Sequence, residues 1–478
     1  MGRLLWIGVV GLLIGAGGPF ARAQASVEEA SSPQLDSIVE IFSTSTIWSR
    51  YEPWNADFMR SMGSGFVVEG RQILTNAHVV ENAVFIAVRN DNSTRFHEAR
   101  VAFIAHEIDL AVLTLVDEGF FADRQPLPLG ELPALEQEVH LYGYPVGGER
   151  MSITRGIVSR IEYHNYIHSN MGFQSIQVDA AINEGNSGGP AMVGGKVVGV
   201  AVETDPLHEN IGYVIPVTLV RHFLDDLKDG RLDGFPSLPL EFQTLSNPAQ
   251  KKHFRLADNQ SGVLVTTICA DTDTANTLKP GDILTHIDGR AIADNGLVKL
   301  DETRSISFLH FADIHQLDDI VQLDIVRDGV SMTLNVKLNT AQKSVRDEVT
   351  PRYFIYGGFV FLGTANDTGC REVGSDGSTD DEAEAEDEDT VELVNVLPTV
   401  DNIGFHDVAP LTLKKVNGTD FSRFSEFHSL VRNATGKTIL IEDEAGFQFT
   451  IDRQRAESAD AEVLRNYRID RAASGGLE

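Results

Sequence analysis

The chain has 478 residues, about three domains at roughly 150 residues each, and 42% of it is hydrophobic, enough to build packed cores. Its 39 Lys and Arg stand against 70 Asp and Glu, a net charge of −31. A negative field of that size repels phosphate backbones and anionic membrane surfaces, so nucleic acid is not an expected partner. Two cysteines, Cys269 and Cys370, are too few for a disulfide scaffold or a structural zinc site. Pairing is open to them in an oxidising compartment, and two separate free thiols are the expectation.

The chain opens with Arg3, an apolar run over 4–16, and Ala21-Arg22-Ala23 before Gln24. A short basic flank, an apolar stretch and an A-x-A site predict a secretory signal, residues 1–23, cut after Ala23. The run is shorter than the roughly 20 residues that cross a bilayer. No membrane span is therefore expected. The mature protein is read as exported, to the periplasm if the source is a Gram-negative bacterium.

Between 38 and 217 the sequence predicts many short strands, at 65–69, 83–88, 139–142, 157–161, 175–178, 197–202 and 211–215. Gly194-Gly195 predicts a tight hairpin, since glycine accepts the positive φ of primed turns. Short strands without long helices indicate sandwiches or barrels, so this part is mostly β. Pro216 then opens an amphipathic helix carrying Leu219, Val220, Phe223, Leu224 and Leu227, and Gly230 ends it. Residues 233–239, with two prolines, read as a linker.

A second region, 240–342, shows hairpin turns at Asp288-Gly289 and Asp328-Gly329 between alternating strands. A third, 350–455, repeats that grammar, with Asn417-Gly418 as a turn and Phe424, Phe427, Leu430 and Val431 at helical spacing. Residues 367–391 inside it are dense in Asp and Glu. Such charge repels itself, so a solvated, disordered insertion is expected. Residues 456–478 read as a C-terminal tail.

Chemistry concentrates in Asn183-Glu184-Gly185-Asn186-Ser187-Gly188-Gly189-Pro190. A serine hydroxyl attacks a carbonyl when it is exposed on a turn, bonded to a base and faced by amide donors. Glycines on either side permit that turn, although alone the pattern is more often just a turn. His78, in Thr75-Asn76-Ala77-His78-Val79-Val80, can equally be a satisfied core histidine. Asp109, before the apolar run 110–113, can equally cap a strand in solvent. Together they come in the order His, Asp, Ser, that of the chymotrypsin-like arrangement.

With Gly63-Ser64-Gly65-Phe66, Gly143-Tyr144-Pro145 and Gly156-Ile157-Val158-Ser159, these motifs resemble the HtrA/Deg family of serine proteases, nearest its plant-type branch and bacterial relatives. The resemblance implies a chymotrypsin-like double β-barrel protease domain at 33–232, followed by two PDZ-like α+β domains. It implies Ser187 as nucleophile, His78 as general base and then acid, and Asp109 as the group holding the His78 tautomer. The N–H groups of Gly185 and Ser187 form the implied oxyanion hole, with Asn186 holding the turn between them. Val200, Ala201 and Val202 are expected to wall a modest apolar substrate pocket.

Gly357, Gly358 and Phe359 are candidates for a loop that captures a peptide carboxylate. No such loop is visible near Leu240, so a structural role is equally open to the first PDZ-like domain. His164 and His168 read as solvated loop histidines, in a loop, 163–173, that helps order the active site. No metal site and no cofactor are expected. The implied partners are unfolded or misfolded proteins and peptides, and further copies of the chain in a trimer-based homo-oligomer, with residues 36–51 as a contact surface. ATP-independent proteolysis in protein quality control is the leading reading; the alternative is a holdase or scaffold that binds unfolded chains with little cutting.

Overall fold

The computed structural model describes residues 35–477, apart from 92, 149, 167, 170, 205–210, 258, 270–271, 343–349, 366–371 and 374–388. The expected signal segment lies outside these described residues.

Six strands close the first barrel: β1 (Ile38–Trp48), β2 (Ala56–Val68), β3 (Gln72–Thr75), β4 (Ala83–Arg89), β5 (His97–Ala105) and β6 (Leu110–Leu115). Their order is β1-β2-β3-β6-β5-β4. The second barrel uses β7 (Glu138–Gly143), β8 (Ser152–Tyr166), β9 (Met171–Val178), β10 (Pro190–Val193), β11 (Lys196–Thr204) and β12 (Gly212–Pro216), in the order β10-β11-β12-β9-β8-β7. The Gly194-Gly195 hairpin forms as the sequence predicts, with φ of 57° and 78°. The helix Val217–Asp226 follows Pro216 and ends through a short 3₁₀ turn at Gly230. Closing each sheet on itself leaves no strand edge and directs alternate side chains inward.

The second region forms one sheet of Leu240–Thr244, Val263–Cys269, Ile283–Ile287, Ile320–Arg327 and Val330–Lys337. Residues 233–239 do not behave as a free linker. Phe235 and Leu238 are buried, and Ser237 N–H donates to Thr340 O at 2.8 Å. Val263, Leu284, Phe308 and Leu323 of this region share one apolar cluster with Leu141, Val158 and Ile176 of the second barrel.

The third region is a sheet in the order Arg352–Tyr356, Phe359–Ala365, Asp389–Val396, Leu411–Val416, Thr438–Asp443, Gln448–Asp452. Residues 456–478 are no tail. Arg453–Tyr467 is a helix capped by Asp452, and beyond it Ile469 and Ala473 are buried, with Ile355 N–H bonded to Ala472 O at 2.7 Å. The reason is apolar periodicity too sparse to see in sequence: Ala456 and Val463 are the buried residues of a mostly charged helix.

The expected acidic insertion falls largely outside the described residues. Its edges are ordered in strands: Glu372–Val373 pairs with Ile268 and Cys269 of the second region, and 389–391 opens the strand Asp389–Val396. Cys269 is disulfide-bonded, which corrects the expectation of two free thiols; Cys370 lies outside the described residues. Among the described residues no helix is long and apolar enough to cross a membrane.

Candidate active site

His78 lies in the single helical turn Ala77–Val80 after β3, and Asp109 directly precedes β6. β3 and β6 are paired, with Thr75 opposite Ala111, which brings the two residues together. Asp109 is fully buried and sits at φ 56°, a bend that turns its carboxylate toward the helix. His78 Nδ1 lies 2.7 Å from Asp109 Oδ2, and the His78 N–H donates to Oδ1 at 2.8 Å. Tyr166 adds a hydroxyl donor to Oδ2 at 2.5 Å. Burial alone would raise the Asp109 carboxyl; the charge and hydrogen bond of His78, the charge of His168 and the Tyr166 hydroxyl outweigh it and hold the group below its ordinary value. A buried carboxylate on Nδ1 selects the tautomer whose Nε2 is free to accept a proton.

The Ser187 turn is set against this pair by Ser64, a fully buried residue of β2. Ser64 N–H donates to Ser187 O (2.8 Å), while Ser64 Oγ donates to Gly185 O (2.7 Å) and accepts from Tyr144 N–H (2.8 Å). Glycine is required at Gly185 and Gly188: both have positive φ, and a Cβ there would stand 2.4 Å from Tyr144 O and 2.2 Å from Ser64 O. The Asn186 N–H is bonded to Asn183 O, so this residue holds the turn and does not donate to an oxyanion. Gly185 and Ser187 N–H have no protein acceptor among the described residues, as an oxyanion hole requires.

Ser187 Oγ donates to Val202 O at 2.8 Å. A hydroxyl has one proton to donate, so in this arrangement the Ser187 proton is engaged by Val202 O and not by His78.

Residues 63–200 match the trypsin-like peptidase domain family and residues 343–476 the PDZ domain family. Protease Do-like 4, mitochondrial, of Arabidopsis thaliana is 34% identical over 96% of this chain and 89% of its own length. The chain belongs to the Do-like (HtrA/Deg) family of serine proteases. Putative protease Do-like 3, mitochondrial, of the same plant is 33% identical over 93% of this chain and 80% of its own length. Among solved structures, the HtrA-type protease AlgWS227A with decapeptide aligns at a TM-score of 0.52, covering 67% of this chain and 98% of that chain; at 22% identity this likeness speaks for the fold.

Like its relatives, this Do-like protease is a serine endopeptidase, mostly β in fold, but several expected details differ. Val200 and Val202 point into a core with Phe66 and Ile215, and Ala201 into one with Leu141 and Val214, so their side chains do not wall a pocket. They act through backbone: Val202 O takes the Ser187 hydroxyl, and Ala201 O and N–H bond Gly188 and Gly189. Alternation along β11 buries both faces because the strand lies between two packed cores.

Gly357 and Gly358 form a buried hairpin turn, not an open carboxylate loop. The Gly357 N–H already donates to Asp460 Oδ1 at 2.8 Å, and Phe359 is buried. The helix Arg453–Tyr467, read from sequence as tail from 456 onward, covers them. His164 and His168 are not solvated: His164 stacks on Tyr213 at 4.2 Å, and the His168 ring stands 5.8 Å from that of His78. The loop 163–173 is mostly strand, the ends of β8 and β9, with Phe173 buried against Tyr166. In the expected contact surface 36–51, Ile41 is core, while Tyr51 O accepts from Asn395 of the third region. Tyr166 and Ser64 were missed because nothing local distinguishes a phenol in a strand or a serine between glycines.

A cleft of about 480 Å³ runs from His78 past Ser45, Ile47 and Met59 to Leu362, Gly363 and Thr364 of the third region.

Proposed function

We propose that this protein is an exported endopeptidase that cuts unfolded or misfolded chains through an acyl-enzyme on Ser187. His78 Nε2 takes the Ser187 proton as Oγ attacks the scissile carbonyl, then delivers it to the leaving amine. Asp109 stays ionised and stabilises the imidazolium formed between those steps. Gly185 and Ser187 N–H receive the oxyanion. Water then repeats the sequence on the acyl-enzyme, with His78 again as base.

The observation that carries this reading is the buried Asp109 carboxylate holding both the N–H and Nδ1 of His78, on the face where Ser64 seats the Ser187 turn. A structural aspartate needs no such orientation of an imidazole. The Ser187–Val202 contact supports a resting state from which a bound peptide or partner releases the hydroxyl. Casein digestion by wild type and Ser187→Ala tests the enzyme reading. Loss of turnover by about 10⁶ is expected on removing the nucleophile; equal, negligible cutting by both proteins would favour the holdase.

The basic, apolar start of the chain supports export, and the names of plant relatives place those proteins in mitochondria or chloroplasts. Amino-terminal sequencing of the mature protein should begin at Gln24. Family membership supports a trimer-based homo-oligomer, for which light scattering should give a multiple of three chain masses.

A further inference from the structure

Three ligand-bearing side chains converge beside the catalytic pair without entering the mechanism above. Glu81 caps the helical turn that carries His78. His106 lies in the turn from β5 to β6, just ahead of Asp109, and His168 in the turn from β8 to β9. Their ligand atoms all lie within 4.8 Å of one another. Glu81 Oε2 is 3.2 Å from His168 Nε2 and 3.7 Å from His106 Nδ1. The side chains are 21%, 11% and 10% exposed in the order Glu81, His168, His106. The two imidazoles stack at 6.0 Å with 28° between planes.

Donors bound tetrahedrally at about 2.0–2.2 Å stand roughly 3.3–3.6 Å apart. The two Glu81 separations bracket that spacing, and all three ligand atoms lie within 4.8 Å of one another. Two imidazole nitrogens and one carboxylate oxygen suit zinc and its neighbours, with a fourth position for water. Calcium and magnesium prefer all-oxygen shells. The chain's net charge of −31 raises the local concentration of any cation.

We propose that Glu81, His106 and His168 form a zinc-type transition-metal site that clamps the β8–β9 hairpin to the first barrel. The three ligands come from the three segments that assemble around Asp109: the His78 turn, the turn preceding Asp109, and the hairpin that lays the Tyr166 hydroxyl on Oδ2. An ion there ties these segments by coordinate bonds. The His–Glu contacts and the Tyr166–Asp109 hydrogen bond already join these segments, and the ion adds coordinate bonds to them.

The test uses the full mature Ser187→Ala protein, stripped with chelator, so that self-digestion does not interfere. Calorimetric titration with Zn²⁺ should show one site per chain that saturates at micromolar protein. Co²⁺ should give the intense visible bands of tetrahedral coordination. His106→Gln and His168→Gln should each weaken that site at least tenfold and remove the bands, whereas His140→Gln, a histidine outside the cluster, should change neither. Zn²⁺ should slow amide exchange in the β8–β9 turn of the parent and not of His168→Gln. Should a variant fail to fold, zinc absorption fine structure on the unmutated parent decides: two imidazoles in the first shell support the site. A first shell of oxygens only, or binding indifferent to both substitutions, overturns it.

Discussion

The second and third regions are each built on a sheet of their own and differ in how they join the enzyme. The second is built into it. Its core is continuous with that of the second barrel, Gln174 Oε1 of β9 accepts Ser307 N–H at 3.1 Å, and Arg304 donates to Leu132 O at 2.7 Å. The third keeps a core of its own around Phe361, Phe424 and Phe427. It meets the protease at the β1–β2 turn through an Arg50–Glu392 ion pair, the Asn395–Tyr51 bond and Trp54 edge-on to Tyr353 at 6.1 Å. Apolar burial at a seam makes two units unfold as one, while a polar, half-exposed contact leaves them separable. Strain in the region built into the enzyme should therefore reach the β8–β9 hairpin, and strain in the one with its own core should largely stay local.

The sharpest way to break this contrast is a pair of core truncations. Phe308→Ala and Phe427→Ala each empty a fully buried site, at about 3–5 kcal/mol apiece. Phe308→Ala should lower the unfolding transition of the barrels together with peptidase activity. Phe427→Ala should produce an early transition of the third region and leave the barrel transition in place. Calorimetry in parallel with peptide cleavage reads both, and equal damage to the barrels by the two variants would erase the distinction.

Acid should separate the regions next. Burial holds the His310 imidazole down at about 4, so the neutral ring belongs to the folded state. Its contribution is complete above the unfolded value of 6.5 and is lost as pH falls toward 4, on the order of 3 kcal/mol. Asp313, buried beside it, has the opposite sign. Burial raises its carboxyl despite the Gln342 hydrogen bond, so its cost is present at neutral pH and vanishes on acidification. Melting curves between pH 7.5 and 4.5 should show the second region losing stability in wild type but less in His310→Gln, and Asp313→Asn gaining stability at pH 7.5.

Smaller effects sharpen the seam itself. Gln174→Ala strands the buried Ser307 N–H and should cost about 1–3 kcal/mol, read as a lower urea midpoint at unchanged slope. Arg50→Ala removes a pair whose arginine is half exposed, and should cost under about 1 kcal/mol with turnover unchanged.

Much of the protein was readable without coordinates. The short strands, the positive-φ turns at Gly194-Gly195, Asp288-Gly289, Asp328-Gly329 and Asn417-Gly418, and the helix after Pro216 are written in neighbouring residues, because backbone sterics and two-residue alternation act over a few positions. What lay beyond reach was every relation between distant segments. Tyr166 on Asp109, Ser64 under Gly185, Asp460 on the Gly357 amide, the buried faces of Val200 and Val202 and the meeting of Glu81 with His106 and His168 depend on which surfaces pack together. Sequence alone determined the local conformations and the chemistry-bearing groups; the tertiary structure decided their partners, because burial and hydrogen bonding are satisfied between segments that only the packed chain brings into contact.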